Sequence, residues 1–410
     1  MRRKGASEQP EFVFRLLARR ARVYNGTRPA AATVRDGQAT RGLEISAMSA
    51  DQYLRYDPSI EQPSPEETDA VRAIVASIER TSDATFKRFS HGIRQQHAKG
   101  VGFLRGELTV YDNLPAHLRQ GLFAKPARYP IIVRLSTAFG LKSDRVRAPR
   151  GIAIKVLGVS GDKALADDTS TNQDFLLVNH PSYMADAKAY LAAQRNVERN
   201  LNTPDIGFRV VGFFSRIALT VSNATGAPIP LLAKALGDPG NNILGETFHT
   251  EGTLRFGDYI ARIRAVPVSD AVRRLTGQPC HDGDEIVRDS VTSFFKDNFA
   301  EYELRAQLCT DLKRTPVEDS SIDWPEGVAV PQPLGKIAIP SQAANTSTRR
   351  DYANDVLSFD PWRCLAAHQP LGSIMRLRRD AYRASRERRH KQNGPIPPPR
   401  EPQDISEFPD

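Results

Sequence analysis

Arg94-Gln95-Gln96-His97-Ala98-Lys99-Gly100 is the stretch from which the rest of the chain can be read. A short polar run leads to one histidine, and Ala-Lys-Gly then opens into an apolar strand pattern. A histidine at a strand edge can be a general acid or base, a metal ligand, or a side chain satisfied by the backbone alone. Partners elsewhere in the chain decide between these.

Downstream of His97, short β-branched runs at 101–111, 130–137, 151–157 and 174–178 are separated by Gly, Pro, Asp or Ser clusters and predict strands. No helix-length pattern separates the first three, which implies antiparallel pairing. Further strands are expected at 258–266, 301–309 and 335–340. Val71, Ile74, Val75 and Ile78 predict a helix over 64–80. Ser64 caps it, Pro65 takes the first helical position and Glu67 completes a capping box. Residues 182–197, 208–237 (broken at Gly226 to Pro230) and 373–390 also read as helices. There is no internal repeat.

The chain has 410 residues and a formal net charge of +9. That charge sits at the ends: residues 1–41 carry ten Arg or Lys against three acids, and 373–390 carry seven Arg against two acids. The middle is nearly neutral, so a nucleic-acid surface is not a property of the domain, and no nucleic-acid partner is expected. Basic ends alone leave open a binder of nucleic acid or anionic membrane, but 373–390 offers no aromatic besides Tyr382. No run approaches the roughly 20 apolar residues of a transmembrane segment. Cys280, Cys309 and Cys364 are scattered and lack CxxC spacing, which points to a reducing, cytoplasmic compartment and no thiolate metal site. The expected organisation is a basic tail over 1–47, an N-terminal arm over 48–84, a main domain over 85–390 and a proline-rich disordered tail over 391–410. The first segment reads either as an amphipathic, transit-like stretch around Phe12 to Arg22 or as sequence upstream of a natural start at Met48.

Four separated pieces carry chemistry-bearing side chains. They are Arg94 with His97; Arg134 with Ser136, which strand alternation puts on one face; Asn172, in a polar loop entering an apolar strand; and Arg378 with Tyr382, one helical turn apart. Each alone also fits a solvated strand face, an ordinary turn residue or an aromatic on a basic helix.

Together, and in this order, they resemble the heme-dependent catalase family, and more closely its shorter catalase-like, catalase-related peroxidase branch. The matching strings are Arg94-Gln-Gln-His97-Ala-Lys-Gly100, Val133-Arg134-Leu-Ser136-Thr137, Arg147-Ala-Pro-Arg150-Gly151-Ile-Ala-Ile-Lys155 and Asn172-Gln-Asp-Phe-Leu-Leu-Val-Asn-His-Pro181. Arg255-Phe-Gly-Asp-Tyr259, Pro316 to Pro325 and Arg378-x-x-x-Tyr382 also match. The resemblance spans about 85–390.

The resemblance implies an α+β fold, a closed antiparallel β-barrel with an N-terminal arm and surrounding helices. It implies heme b, with Tyr382 as iron ligand and Arg378 stabilising its phenolate. Arg94, Arg134 and Arg378 would serve the heme propionates. His97 would be the acid/base, Ser136 would fix its tautomer, and Asn172 would orient a small-molecule peroxide. The reductant is left open, and assembly as a homo-oligomer is expected. Three features depart from the family pattern. Gln96 stands where true catalases carry a small apolar residue, Arg383-Ala-Ser-Arg-Glu-Arg follows the tyrosine, and the chain ends soon after the tyrosine helix. They turn the expectation toward peroxidase-type turnover on hydrogen peroxide or organic hydroperoxides, with fatty-acid hydroperoxide isomerase or dehydratase chemistry as the alternative.

Overall fold

The computed structural model describes residues 52–180, 182–225, 229, 231–394 and 400–410. All lie in the compact unit Ser49–Asp410. The expectations for 1–47 fall outside the described residues.

Eight strands close a barrel. They are β1 (Lys99–Val110), β2 (Arg128–Thr137), β3 (Arg150–Val156), β4 (Gln173–Val178), β5 (Phe248–Thr250), β7 (Tyr259–Pro267), β8 (Ala300–Leu308) and β9 (Pro331–Ile339). Each pairs antiparallel with the next, and β9 returns to β1. β6 (Thr253–Phe256) and β10 (Pro370–Leu371) extend the sheet from β7. Closure removes the edges that strands this short would otherwise expose. Alternation along β2 sends Ile131, Val133 and Leu135 into the barrel core beside Val101, Leu104 and Leu108 of β1. Ile132, Arg134 and Ser136 therefore lie on the outer face, where Ile132 joins Phe103, Leu357 and Phe408 in a second cluster.

Eight helices surround the barrel among the described residues: α1 (Glu67–Phe89), α2 (Ala187–Arg199), α3 (Asp205–Thr225), α4 (Leu231–Leu236), α5 (Asp270–Arg273), α6 (Ile286–Asp297), α7 (Ser347–Asp355) and α8 (Ser373–Asn393). The predicted strands and helices all form, with ends shifted by a few residues except at the end of α1, which runs nine residues further. α5, α6 and α7, and the very short strands β5, β6 and β10, were not predicted.

α1 starts later and runs further than expected. Its N-cap is Glu66, which makes no side-chain cap bond. Glu67 reaches Arg376 of α8 at 2.7 and 2.8 Å instead of turning back to Ser64, so a tertiary ion pair replaces the capping box. The helix continues to Phe89, and Thr81 and Thr85 satisfy their buried hydroxyls on the carbonyls of Ser77 and Thr81. Buried positions filled by Thr and Ser hide the helical period from a reading of apolar residues. Ala70, Ile74 and Ile78 of α1 pack against Ala187 of α2 and Ile374, Leu377 and Ala381 of α8.

The last residues also differ from the expected disordered tail. Phe408 is fully buried, and Glu401 pairs with Lys155 of β3 at 3.2 Å. Replacing Phe408 with Ala should therefore lower stability by about 3–5 kcal/mol, read as the shift in a urea or thermal unfolding midpoint. An unchanged midpoint would show that this segment contributes nothing to the fold.

Candidate functional site

His97 sits at the turn into β1 with a left-handed backbone, φ +50°. That conformation is uncommon outside glycine and is retained where the surroundings enforce it. The β1–β2 register slips between Gly100 and Gly102, a bulge that re-aims the chain just after His97. Arg134 Nη2 donates to the His97 carbonyl at 2.8 Å and to the Ala98 carbonyl at 3.2 Å. The Ser136 hydroxyl lies 3.2 Å from His97 Nδ1 and pins the ring, whichever of the two donates. Gly151, paired with Ser136 across β2 and β3, completes the seat. A Cβ there would come within 2.7 Å of the imidazole. Burial pushes the His97 pKa down to about 4, with Glu251 opposing and Arg134, His180 and Arg378 reinforcing, so the ring is neutral at ordinary pH.

Tyr382 comes from α8. Arg378, one turn earlier, donates to its phenol oxygen at 2.6 Å, and its guanidinium lies 4.9 Å from the ring centroid. Glu251, in the turn between β5 and β6, holds the other side of Arg378 at 3.0 Å. Burial raises the Tyr382 pKa while Arg378 pulls it down. Burial also disfavours the Arg378 charge, but Tyr382 and Glu251 outweigh it and hold that arginine firmly protonated. Arg134 senses the charge of Tyr382, and His97 senses that of Arg378, so both predicted rings lie within electrostatic reach of these arginines.

Three guanidinium groups meet beside it. Arg94 and Arg389 both donate to the Leu357 carbonyl, at 2.6 and 3.4 Å. Arg94 and Arg134 each sense Arg389 as a like charge. Burial lowers the pKa of all three, to about 9 for Arg134 and about 10 for Arg389. Among the described residues none has a carboxylate within ion-pair distance, although Glu401 and Asp355 act on Arg94 and Arg389 from further away. The Nε atoms of Arg134 and Arg389 are buried without partners. Arg389 was not among the expected site residues. Its position seven residues after Tyr382, on the same face of α8, was the available signal. Arg378, expected at this cluster, serves Tyr382 and Glu251 instead.

Asn172 stands apart. Gly151, against His97, pairs with Val178, whereas Gln173, next to Asn172, pairs with Val156. Five residues of strand put that end about 17 Å from Gly151. The Asn172 amide donates to the Pro402 carbonyl at 2.9 Å, and its Oδ1 is buried without a partner. The C-terminal segment thus occupies this side chain. Two further residues join the site without any clear sequence signal: Glu251, and Tyr190 of α2, whose hydroxyl lies 3.5 Å from the Gln96 amide. Tyr190 also senses Tyr382 and Glu251.

No family model matches the chain, and no curated protein matches it. Solved structures similar to it include a fungal catalase, at 17% identity and TM-score 0.49 over 77% of this chain and 62% of that one. Catalase A from Saccharomyces cerevisiae is similar at 19% identity and TM-score 0.48, over 74% of this chain and 63% of that one. A bacterial catalase is similar at 15% identity and TM-score 0.49, over 89% and 67%. The chain thus spans less than two thirds of the fungal and yeast enzymes.

Burial also pushes His249 and His368 down to about 4. With His97 they stay neutral in the folded chain, while the unfolded chain takes up protons from about pH 6.5 downward. Their contribution is complete above that pH and is lost as pH falls toward 4, by up to about 1.4 kcal/mol per pH unit per histidine. Urea midpoints at pH 7.5 and pH 5.0 check this; equal midpoints would contradict it.

Proposed function

We propose that this chain is a heme-dependent oxidoreductase that consumes peroxides, of catalase or peroxidase type. The observation that carries the reading is a pair of buried guanidinium groups, Arg134 and Arg389, with a third, Arg94, partly buried beside them, two orphaned Nε atoms and no ion-paired carboxylate among the described residues. Buried cations of this kind call for an anionic guest. A flat macrocycle with two carboxylates at one edge and ferric iron at its centre would match them, with Tyr382 as the residue to ligate the metal.

The residues present fit that group. Tyr382 would hold the iron through its phenol oxygen, and the metal's charge would add to that of Arg378 in favouring the phenolate over the buried phenol. Arg94, Arg134 and Arg389 would hold the carboxylates. Heme supplies the electrons for cleaving a peroxide O–O bond. The chain's own contribution is a proton shuttle. Neutral His97, its Nδ1 side held by Ser136, can accept the proton of a bound hydroperoxide at Nε2 and return it to the departing oxygen, which leaves as water or an alcohol. The Asn172 role expected from the resemblance would require release of the Pro402 contact.

A second reading keeps the heme but takes fatty-acid hydroperoxides as substrate. Gln96 and Tyr190 favour it, since they put a polar amide and a phenol beside His97, where a small apolar residue would leave room.

Adding hemin to the purified chain should give a Soret band that Tyr382→Phe abolishes. A chain that takes up no heme would end both readings. His97→Gln should keep the band while slowing peroxide consumption about 10²–10⁴-fold, the usual loss for a missing acid/base group. Oxygen release from hydrogen peroxide, followed with an electrode beside fatty-acid hydroperoxide consumption, separates the two; rapid oxygen release without lipid turnover would exclude the second.

A further inference from the structure

α3 is apolar on two sides, and only one is used. Its inner side is committed to the protein. Phe208 stacks on Phe139 with centroids 6.5 Å apart, and Gly212 lies so close to the Leu236 carbonyl that a Cβ would sit 3.0 Å away. Leu219 fills the space over Gly237. The outer side carries Ile206, Val210, Phe213, Phe214, Ile217 and Val221, spaced three and four residues apart and each about half exposed. Among the described residues, seven of the fourteen exposed large apolar side chains lie on this one helix, so the patch is a concentration and not scattered surface.

On α2 and α3 the exposed charges not held in a cap or ion pair are all basic. Exposed Lys188, Arg195 and Arg199 line one side of α2, and Arg209 and Arg216 flank the apolar stripe of α3. The three acids of 186–225 are engaged: Asp186 caps α2, Glu198 pairs with Arg80 at 2.6 Å, and Asp205 pairs with Lys142 at 3.2 Å. A second copy laid on this face would bring like charges together, at a cost. An anionic bilayer surface meets both the apolar stripe and its cationic flanks. At about 1.5 Å per residue α3 could lie some 31 Å along such a surface. No helix among the described residues is long and apolar enough to cross a membrane, so the fit is to a helix lying in the interface.

From this we infer that the outer face of α3, with the basic side of α2, docks the protein onto membranes rich in anionic phospholipid. The inference does not depend on the reaction. Phe139 lies three residues past Ser136, so the docked helix would rest on the loop that leaves the His97 seat.

The test is vesicle co-sedimentation of the full chain, with phosphatidylcholine vesicles alone or with about one third phosphatidylglycerol. The parent should pellet with the mixed vesicles and far less with the neutral ones. The triple variant Phe213→Gln, Phe214→Gln, Ile217→Gln, at side chains already exposed, should unfold at the parent's temperature yet bind about tenfold more weakly or worse. Arg195→Gln with Arg199→Gln and Arg209→Gln should lose the preference for phosphatidylglycerol. Three results would overturn the inference: no pelleting of the parent, equal pelleting of the triple variant (which would assign binding to the basic ends), or a parent oligomer that the triple variant converts to monomer without any vesicle binding.

Discussion

Two buried guanidinium groups, Arg134 and Arg389, with a third, Arg94, partly buried beside them and none of the three ion-paired among the described residues, are a costly feature of this molecule. Taking a cation out of water is repaid only by partners, and like charges in proximity add to the cost. Here the partners are backbone carbonyls, those of His97 and Ala98 for Arg134 and that of Leu357 for Arg94 and Arg389. Carbonyls leave the charge itself uncompensated, and two Nε atoms remain unsatisfied. Such an arrangement, beside a phenol, an imidazole and a well-paired fourth arginine, is what the proposed anionic ligand would relieve. The proposed cofactor follows from that imbalance more than from any single side chain.

Helix α8 makes the arrangement possible. Arg378, Tyr382 and Arg389 share one of its faces, so one rigid element sets the spacing between the proposed iron ligand and one wall of the cationic cluster. The adjoining face is fixed by apolar packing on α1 and α2. Arg376, partly buried, bridges Glu61, Glu67 and Glu318. A network of that kind holds a helix in register more firmly than isolated surface pairs do. Across the site, the left-handed turn at His97, the bulge after it and the missing side chain at Gly151 hold the imidazole in one place. His97 shares its left-handed backbone with Ser90 and Phe139 among the described non-glycine residues, a conformation retained where the packing enforces it.

The C-terminal segment changes how the expected site is understood. Pro402 takes the Asn172 amide, and Glu401 enters a buried cluster with Lys155, Arg363 and Asp174. Residues beyond α8 thus cover the far end of the β3–β4 surface, away from His97. α3, for its part, turns an apolar face outward that no described part of the chain covers.

The order of strands, the identity of α8 and the pairing of Arg134 with Ser136 were legible in the chain itself, because alternation and the helical period write themselves directly into side-chain type. The strings around His97 and Tyr382 singled those two out as candidates. What escaped were contacts whose partners are far apart in sequence and whose residue types are ordinary. Glu67 left its capping box for Arg376, Asn172 was taken by Pro402, and Glu251 met Arg378 from an unpredicted turn. Arg389 was indistinguishable from six other arginines on its helix until packing buried it. Local pattern determines which elements form and which face each turns inward. Only closure of the barrel and docking of α8 decide which polar groups are stranded together away from water, because desolvation depends on everything packed around a group and not on its neighbours in the chain.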